Sequence, residues 1–238
     1  MKDMNANIGG NKNKIMEINT SKALNSSQFY NSAKEKKQII WHHTAGTTAD
    51  GAIGWWNQTP EVVGTAFVID RDGTIYQIFD PKLWAYHLGV RAKDGGDVND
   101  LDEKQSIGIE IVAAGPLHQD ETGKFFHYPL WPNKSAKNKV NQDEVWDMGE
   151  EGWKGNRFYH AYNDKQIEAL FGLTKKLMTD FKIPVQADIG KMYEFSTEVV
   201  KNKTPGIWSH STVRKDKSDI VPHPSFIEKI KKAFKPTK

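Results

Sequence analysis

Two histidines stand side by side at positions 42 and 43, closing the short run "QIIWHH". In an extended strand neighbouring side chains point to opposite faces, so His42 shares a face with Ile40 and His43 with Trp41. Only one of the pair can look into a common site. Far along the chain, "WSHSTVRKDKSD" offers His210, where a strand gives way to a loop, and then Asp219. Two imidazoles and a carboxylate form a common catalytic zinc set, since they leave one position open for water. A further piece lies in "SIGIEIV". Alternation sends Ile107, Ile109 and Ile111 to one face and Ser106, Gly108 and Glu110 to the other. A glutamate in so apolar a strand needs a partner or a use. The small residues beside it leave room for a substrate, and desolvation raises its pKa toward that of a working general base.

These residues need elements to hold them. "QIIWHH" reads as a short strand and "TTADGAIGWWNQ" as a helix of two to three turns. "GTAFVIDRDGTIYQIFD" reads as a hairpin, two apolar runs around the turn residues "RDG". The continuous apolar character of "SIGIEIVAAG" suits a central strand covered on both sides. Asn163 and Gln166 form a capping pair for a helix whose face carries Ile167, Leu170, Phe171, Met178 and Phe181, stopped by Pro184. "GIWSHSTV" reads as a last strand, and "SFIEKIKKAF" as a final helix capped by Ser225 and Glu228. Strands interspersed with helices predict an α/β fold, a mixed central sheet flanked by helices. No internal repeat is visible. Residues 1 to about 36, rich in Asn, Lys and Ser, read as a poorly ordered arm. Residues 37–238 read as a single domain with a long insertion over about 115–162. That stretch has no steady period and is expected to serve as a functional insertion or lid.

Composition narrows the field. The 238 residues contain no cysteine, which leaves no disulfide framework and no thiolate metal site. A net charge of +3 is too small to argue for nucleic acid, and the lysines of the last ten residues read as a solvated helix face and tail. Mean hydropathy is −0.67. With no 18-residue apolar run and no apolar core in the first residues, neither a membrane span nor a signal peptide is expected. Several of the eight tryptophans sit in polar stretches, where an exposed ring suits sugar or peptide contacts.

The segments "IIWHHTAG", "FVIDRDGTIYQ", "WAYHLGV", "SIGIEIVAAG" and "SHSTVRKDKSD", in this order, resemble the zinc-dependent N-acetylmuramoyl-L-alanine amidases. This type-2 amidase family is shared by phage lysozyme-type endolysins, bacterial wall-recycling amidases and animal peptidoglycan-recognition proteins. The resemblance covers roughly residues 38–114 and 160–234. It implies an amidase/peptidoglycan-recognition-like fold and Zn²⁺ held by His42, His210 and Asp219. The first opens an H-x-[ST]-A pattern, the second an H-x-x-V pattern, and the third closes a K-x-[DC] pair with Lys217. His43 then points away. Where the family continues to Pro-Gly, this chain has "DIVPHPSF", so His223 stands as an alternate third ligand. The resemblance further implies that Glu110 handles the proton and Lys217 stabilises the oxyanion. A tyrosine used by other members is replaced here by Thr65. His87, Thr44 and Trp84 fall to substrate binding.

The expected activity is hydrolysis of the amide between the muramoyl lactyl group and L-alanine in bacterial peptidoglycan, by a phage- or prophage-lysin-like enzyme. The alternatives are a non-catalytic peptidoglycan binder and a cytosolic amidase acting on soluble muropeptides. The expected partner is peptidoglycan or a muropeptide, with neither nucleic acid nor membrane, and the expected state is a monomer. Synthesis is expected in the cytoplasm, with release by a holin, carriage on a virion, or action inside the cell.

Overall fold

The computed structural model describes residues 16–90, 101–128, 138–201 and 203–235. In chain order its strands are β1 (Ile18–Asn19), β2 (Gln38–His43), β3 (Phe67–Ile69), β4 (Ile75–Gln77) and β5 (Ser106–Ile111). They continue with β6 (Pro116–Gln119), β7 (Phe125–His127), β8 (Lys139–Val140), β9 (Val145–Asp147), β10 (Phe158–His160) and β11 (Gly206–Ser209). The helices are α1 (Ala49–Gln58), α2 (Leu101–Lys104), α3 (Asp164–Phe181), α4 (Thr197–Val200), α5 (His210–Val213) and α6 (Pro224–Ala233).

β5 and β2, buried along nearly their whole length, lie side by side in a mixed six-stranded sheet, ordered β1-β4-β3-β5-β2-β11. β2 runs parallel to both β5 and β11, with Ile40 opposite Gly108 and Trp208. β3 runs parallel to β5 and turns back antiparallel into β4 around Gly73, whose φ of +88° favours glycine. Both faces are covered, as the α/β reading requires. On one face Trp41 packs against Phe171 of α3, Phe226 of α6 and Phe234, with ring centroids 6.1, 6.4 and 5.8 Å away. Its indole N–H donates to Thr174 Oγ1 at 3.1 Å, so the buried ring leaves no donor unpaired.

α3 opens with the expected box: Asn163 Oδ1 accepts the Gln166 N–H at 3.0 Å, and Gln166 Oε1 accepts the Asn163 N–H at 3.3 Å. Its most buried line is Ile167, Leu170, Leu173, Thr174 and Leu177, with Phe171, Met178 and Phe181 half-buried beside it. The helix ends on Lys182 in the left-handed region, before Pro184 is reached. Among the described residues no helix is long and apolar enough to cross a membrane.

Four local expectations are corrected. Residues 16–36 are not a loose arm: β1 pairs with β4, Leu24 is buried, and Tyr30 stacks on Trp84 with centroids 4.0 Å apart. Lys36 is also buried, its ammonium donating to the carbonyls of Leu83, Lys104 and Ser106. A few apolar anchors and backbone bonds order a polar segment; residues 1–15 lie outside the described residues. The described residues of 115–162 carry a second, five-stranded antiparallel sheet, ordered β8-β7-β6-β10-β9, with its own small core of Ala114, Leu117, Phe125 and Val140. Its strands have two to four residues, too few to display a period. The "GIWSHSTV" strand stops at Ser209, because the Thr212 hydroxyl accepts the Ser209 N–H at 3.4 Å and opens α5. Finally, α6 begins at Pro224 with His223 as its cap residue, and Ser225 Oγ bonds His223 Nδ1 at 2.8 Å rather than capping the helix.

The second sheet is joined to the first around His160. Its Nδ1 accepts the Ala114 N–H at 3.1 Å, and burial, with the Arg71 charge acting the same way, lowers its pKa from 6.5 to about 3. A base depressed on folding stabilises the fold fully above its unfolded pKa, and that stability drains as pH falls through 6.5 toward 3. Between pH 6.5 and about 5 this group should account for about 2 kcal/mol of lost stability. Urea unfolding at the two pH values should show a smaller loss for His160→Asn, which keeps an acceptor for Ala114. Equal losses in the two proteins would contradict the assignment.

Candidate metal centre

Register delivers the first two groups. Parallel pairing sets His42 directly beside Glu110, on neighbouring strands and on one face. On the other flank of β2, β11 ends at Ser209 and His210 is the first residue of α5. Asp219 comes in on the loop that follows, its carbonyl accepting the Ser211 N–H at 2.8 Å. The three side chains meet. His42 Nδ1 lies 3.0 Å from His210 Nδ1 and 3.4 Å from Asp219 Oδ2, and His210 Nδ1 lies 3.0 Å from the same oxygen. All three are buried, and among the described residues they form the one group of three or more such side chains able to share a metal ion.

The electrostatics fit a site that expects positive charge. Burial and the neighbouring His210 lower the His42 pKa to about 4, so its imidazole is neutral and able to donate a lone pair. Burial pushes Asp219 upward, but the charge and hydrogen bonds of His210 and His42 hold it well below the usual carboxylate range. Glu110 goes the other way. Burial, and then the Asp219 charge, raise it well above that range, while Lys217 pulls it back. Its Oε2 is buried with no hydrogen-bond partner among the described residues. Lys217 is half-buried on the loop before Asp219, close enough for its charge to act on Glu110 and His42.

The other sequence candidates fall differently. His43 turns to the opposite face, where its Nδ1 meets the Tyr162 hydroxyl at 2.9 Å. His223 lies apart from the three donors, its ring stacked on Trp146 at 4.8 Å. His87, expected in the substrate groove, faces inward with its side chain 5% exposed. It bonds His42 Nε2 at 2.9 Å and Ser106 Oγ at 2.8 Å. Trp84 is buried beneath Tyr30 and offers no open ring face to a sugar. The Thr44 hydroxyl ties the backbone of Gly46 to that of Ala113. Thr65 donates to the Phe67 carbonyl.

Sequence reasoning missed the groups that brace the site. Trp153, in the inserted stretch, donates from Nε1 to the Ser218 carbonyl at 2.8 Å, and Lys154 Nζ reaches the Lys215 carbonyl at 2.8 Å. The Tyr162 hydroxyl accepts the Val221 N–H at 3.3 Å, leaving its own proton for His43. The insertion thus grips the loop that carries Lys217 and Asp219 from both ends. Nothing in the spacing of the aromatic residues around 153–162 gave the direction of these contacts.

The three metal-type donors thus come from the end of β2, from the first residue of α5 just past edge strand β11, and from the loop that follows. The profile of the N-acetylmuramoyl-L-alanine amidase family, Amidase_2, matches residues 32–224, and the chain belongs to that family. Among solved structures, that of PlyL is 16% identical with a TM-score of 0.50, covering 94% of this chain and 100% of that one. A mutant endolysin from Bacillus subtilis is 16% identical with a TM-score of 0.49, covering 92% and 97%. The fold matches that of PlyL over nearly the whole of both chains. No curated protein matches the sequence.

The grip of the insertion can be measured. Trp153→Phe removes the donor to Ser218 while keeping an aromatic ring, and should cost about 1 kcal/mol of stability. Amide exchange at Val221 should quicken several-fold while exchange within β2 and β5 stays unchanged. Unaltered exchange at Val221 would mean that the bond does not hold the loop.

Proposed function

We propose that the protein hydrolyses the amide bond between the N-acetylmuramoyl lactyl group and L-alanine of peptidoglycan, with Zn²⁺ held by His42, His210 and Asp219. The observation that carries this is the orphaned Glu110 carboxyl beside three converging donors, within the stretch that matches the family. Zinc bonds of about 2.0–2.1 Å place tetrahedral ligand atoms about 3.3 Å apart. The donor separations of 3.0, 3.0 and 3.4 Å are compatible with that edge. A donor set of two neutral imidazoles and one carboxylate, in a chain without cysteine, also suits zinc with one position open.

Bound there, zinc supplies Lewis-acid chemistry, polarising the amide carbonyl and making solvent more acidic. The protein's own groups do the rest. Glu110 takes a proton from the attacking water and returns it to the alanine nitrogen as the C–N bond breaks. Its burial keeps the proton affinity high enough for both roles. Lys217, whose charge already reaches Glu110, faces the negative charge that develops on the carbonyl oxygen. The buried walls around His42 and Glu110 strengthen both interactions by excluding water. We assign the intact wall as substrate, in line with the lysins that the motifs resemble.

Metal analysis of the parent protein should find one zinc, lost in His42→Ala and Asp219→Ala and kept in His223→Ala. Glu110→Gln should keep the metal and lose at least about 100-fold in rate. Digestion of purified walls should release new alanine amino groups and cease with chelator. Full activity after chelation, or in Glu110→Gln, would overturn the reading. Faster cleavage of soluble muropeptides than of walls would remove the lysin assignment and keep the chemistry.

A further inference from the structure

One loop touches both imidazoles of the donor set. The Leu88 carbonyl lies 2.9 Å from His210 Nε2. A carbonyl can only accept, so Nε2 carries a proton, and in the neutral imidazole, the form that binds a metal, Nδ1 keeps its lone pair toward Asp219 and His42. On His42 the same outcome follows from a relay. The Ser106 hydroxyl faces the carbonyls of Asp102 at 2.6 Å and Glu103 at 3.2 Å, so it donates there. Its lone pairs then accept the His87 Nε2–H at 2.8 Å. That leaves His87 Nδ1 to accept the His42 Nε2–H at 2.9 Å, and His42 Nδ1 is unprotonated. Run backwards, the relay would strip Ser106 of its donation to Asp102 and place a proton on His42 Nδ1, inside the donor cluster.

The loop is itself clamped. Buried Glu103 accepts the consecutive N–H groups of His87, Leu88 and Gly89 at 2.8–3.0 Å. Three neighbouring amides converging on one carboxylate form an anion nest, and Gly89 completes it at φ +61°, where a side chain would be strained. A Cβ there would also lie 2.7 Å from Arg214 Nη1.

We propose that loop 87–89, fixed by Glu103, sets the tautomer of both histidines, so that His42 and His210 each present a bare Nδ1 to the cation. His87, Ser106 and Glu103 are positioning residues in this scheme, and His87 serves the metal rather than the substrate. The inference rests on the zinc reading above. Partners of this kind typically change metal affinity by about 10- to 100-fold.

The test uses the full chain, titrated with zinc against a chromogenic chelator. His87→Ala and Glu103→Gln should bind zinc about 10- to 100-fold more weakly. His87→Asn, whose Oδ1 falls near the position of Nδ1, should recover most of the loss. Long-range nitrogen–proton spectra of the metal-free protein should find both His42 and His210 protonated at Nε2. His87→Ala should disturb His42 alone, and Glu103→Gln should disturb both, effects that a general loss of stability would not separate. Should Glu103→Gln fail to fold, the His87 pair decides. If the parent binds zinc and folded His87→Ala binds it within twofold, this inference is wrong and the zinc reading stands. If the parent takes up no zinc, the zinc reading fails and takes this inference with it.

Discussion

In-register parallel pairing of β2 with β5 and β11 is the constraint on which the molecule turns. Residues 42 and 110 are far apart in the chain, yet the ladder puts them side by side, and the end of β11 delivers residue 210 to the same corner. Side chains alternate along a strand, so a one-residue slip of β2 would swap His42 for His43 and bury the wrong imidazole in the wrong face. The apolar face protects the register: Trp41 would have to leave Phe171, Phe226 and Phe234 before His42 could turn away. A packed core thereby becomes a positional guarantee for polar groups that contribute nothing to its cohesion.

Those polar groups are costly in the absence of compensation. Two imidazoles and a carboxylate out of water, lone pairs converging, repel one another and forgo hydration. The surroundings answer with directed bonds: a carbonyl on His210, a histidine on His42, a carboxylate holding the loop that carries both. Glu110 Oε2 receives no such bond among the described residues, and burial, together with the Asp219 charge, raises the proton affinity of the carboxyl.

Much of this could be read beforehand. Period-two alternation separated His42 from His43 and Glu110 from its isoleucine neighbours, because β2 and β5 are long enough to express a pattern. The α3 box and the β3–β4 turn were legible from residue types, Asn163 with Gln166 and the "RDG" run. What could not be read lies where pattern is short or absent. β6–β10 are brief strands with polar connections. The segment 16–36 orders itself through Leu24, Tyr30 and Lys36, residues with no period to betray them. His87 was found as a residue of interest, but spacing along a loop does not say which way an imidazole turns, and here it turns inward toward His42. Glu103 carried no signal, because its partners are backbone amides.

The stretch that matches the family, residues 32–224, is smaller than the physical unit. It excludes β1, which occupies the outer rim of β4, and nearly all of α6, which lids Trp41 through Phe226. A fragment excised at the borders of homology would present an unsatisfied strand rim to its neighbours and a hydrophobic cleft to solvent. Both are open invitations to self-association. For shuffling or fusion of such domains, the safe seams lie outside the matched stretch, at whichever residues close the outermost ladder and cover the last ring.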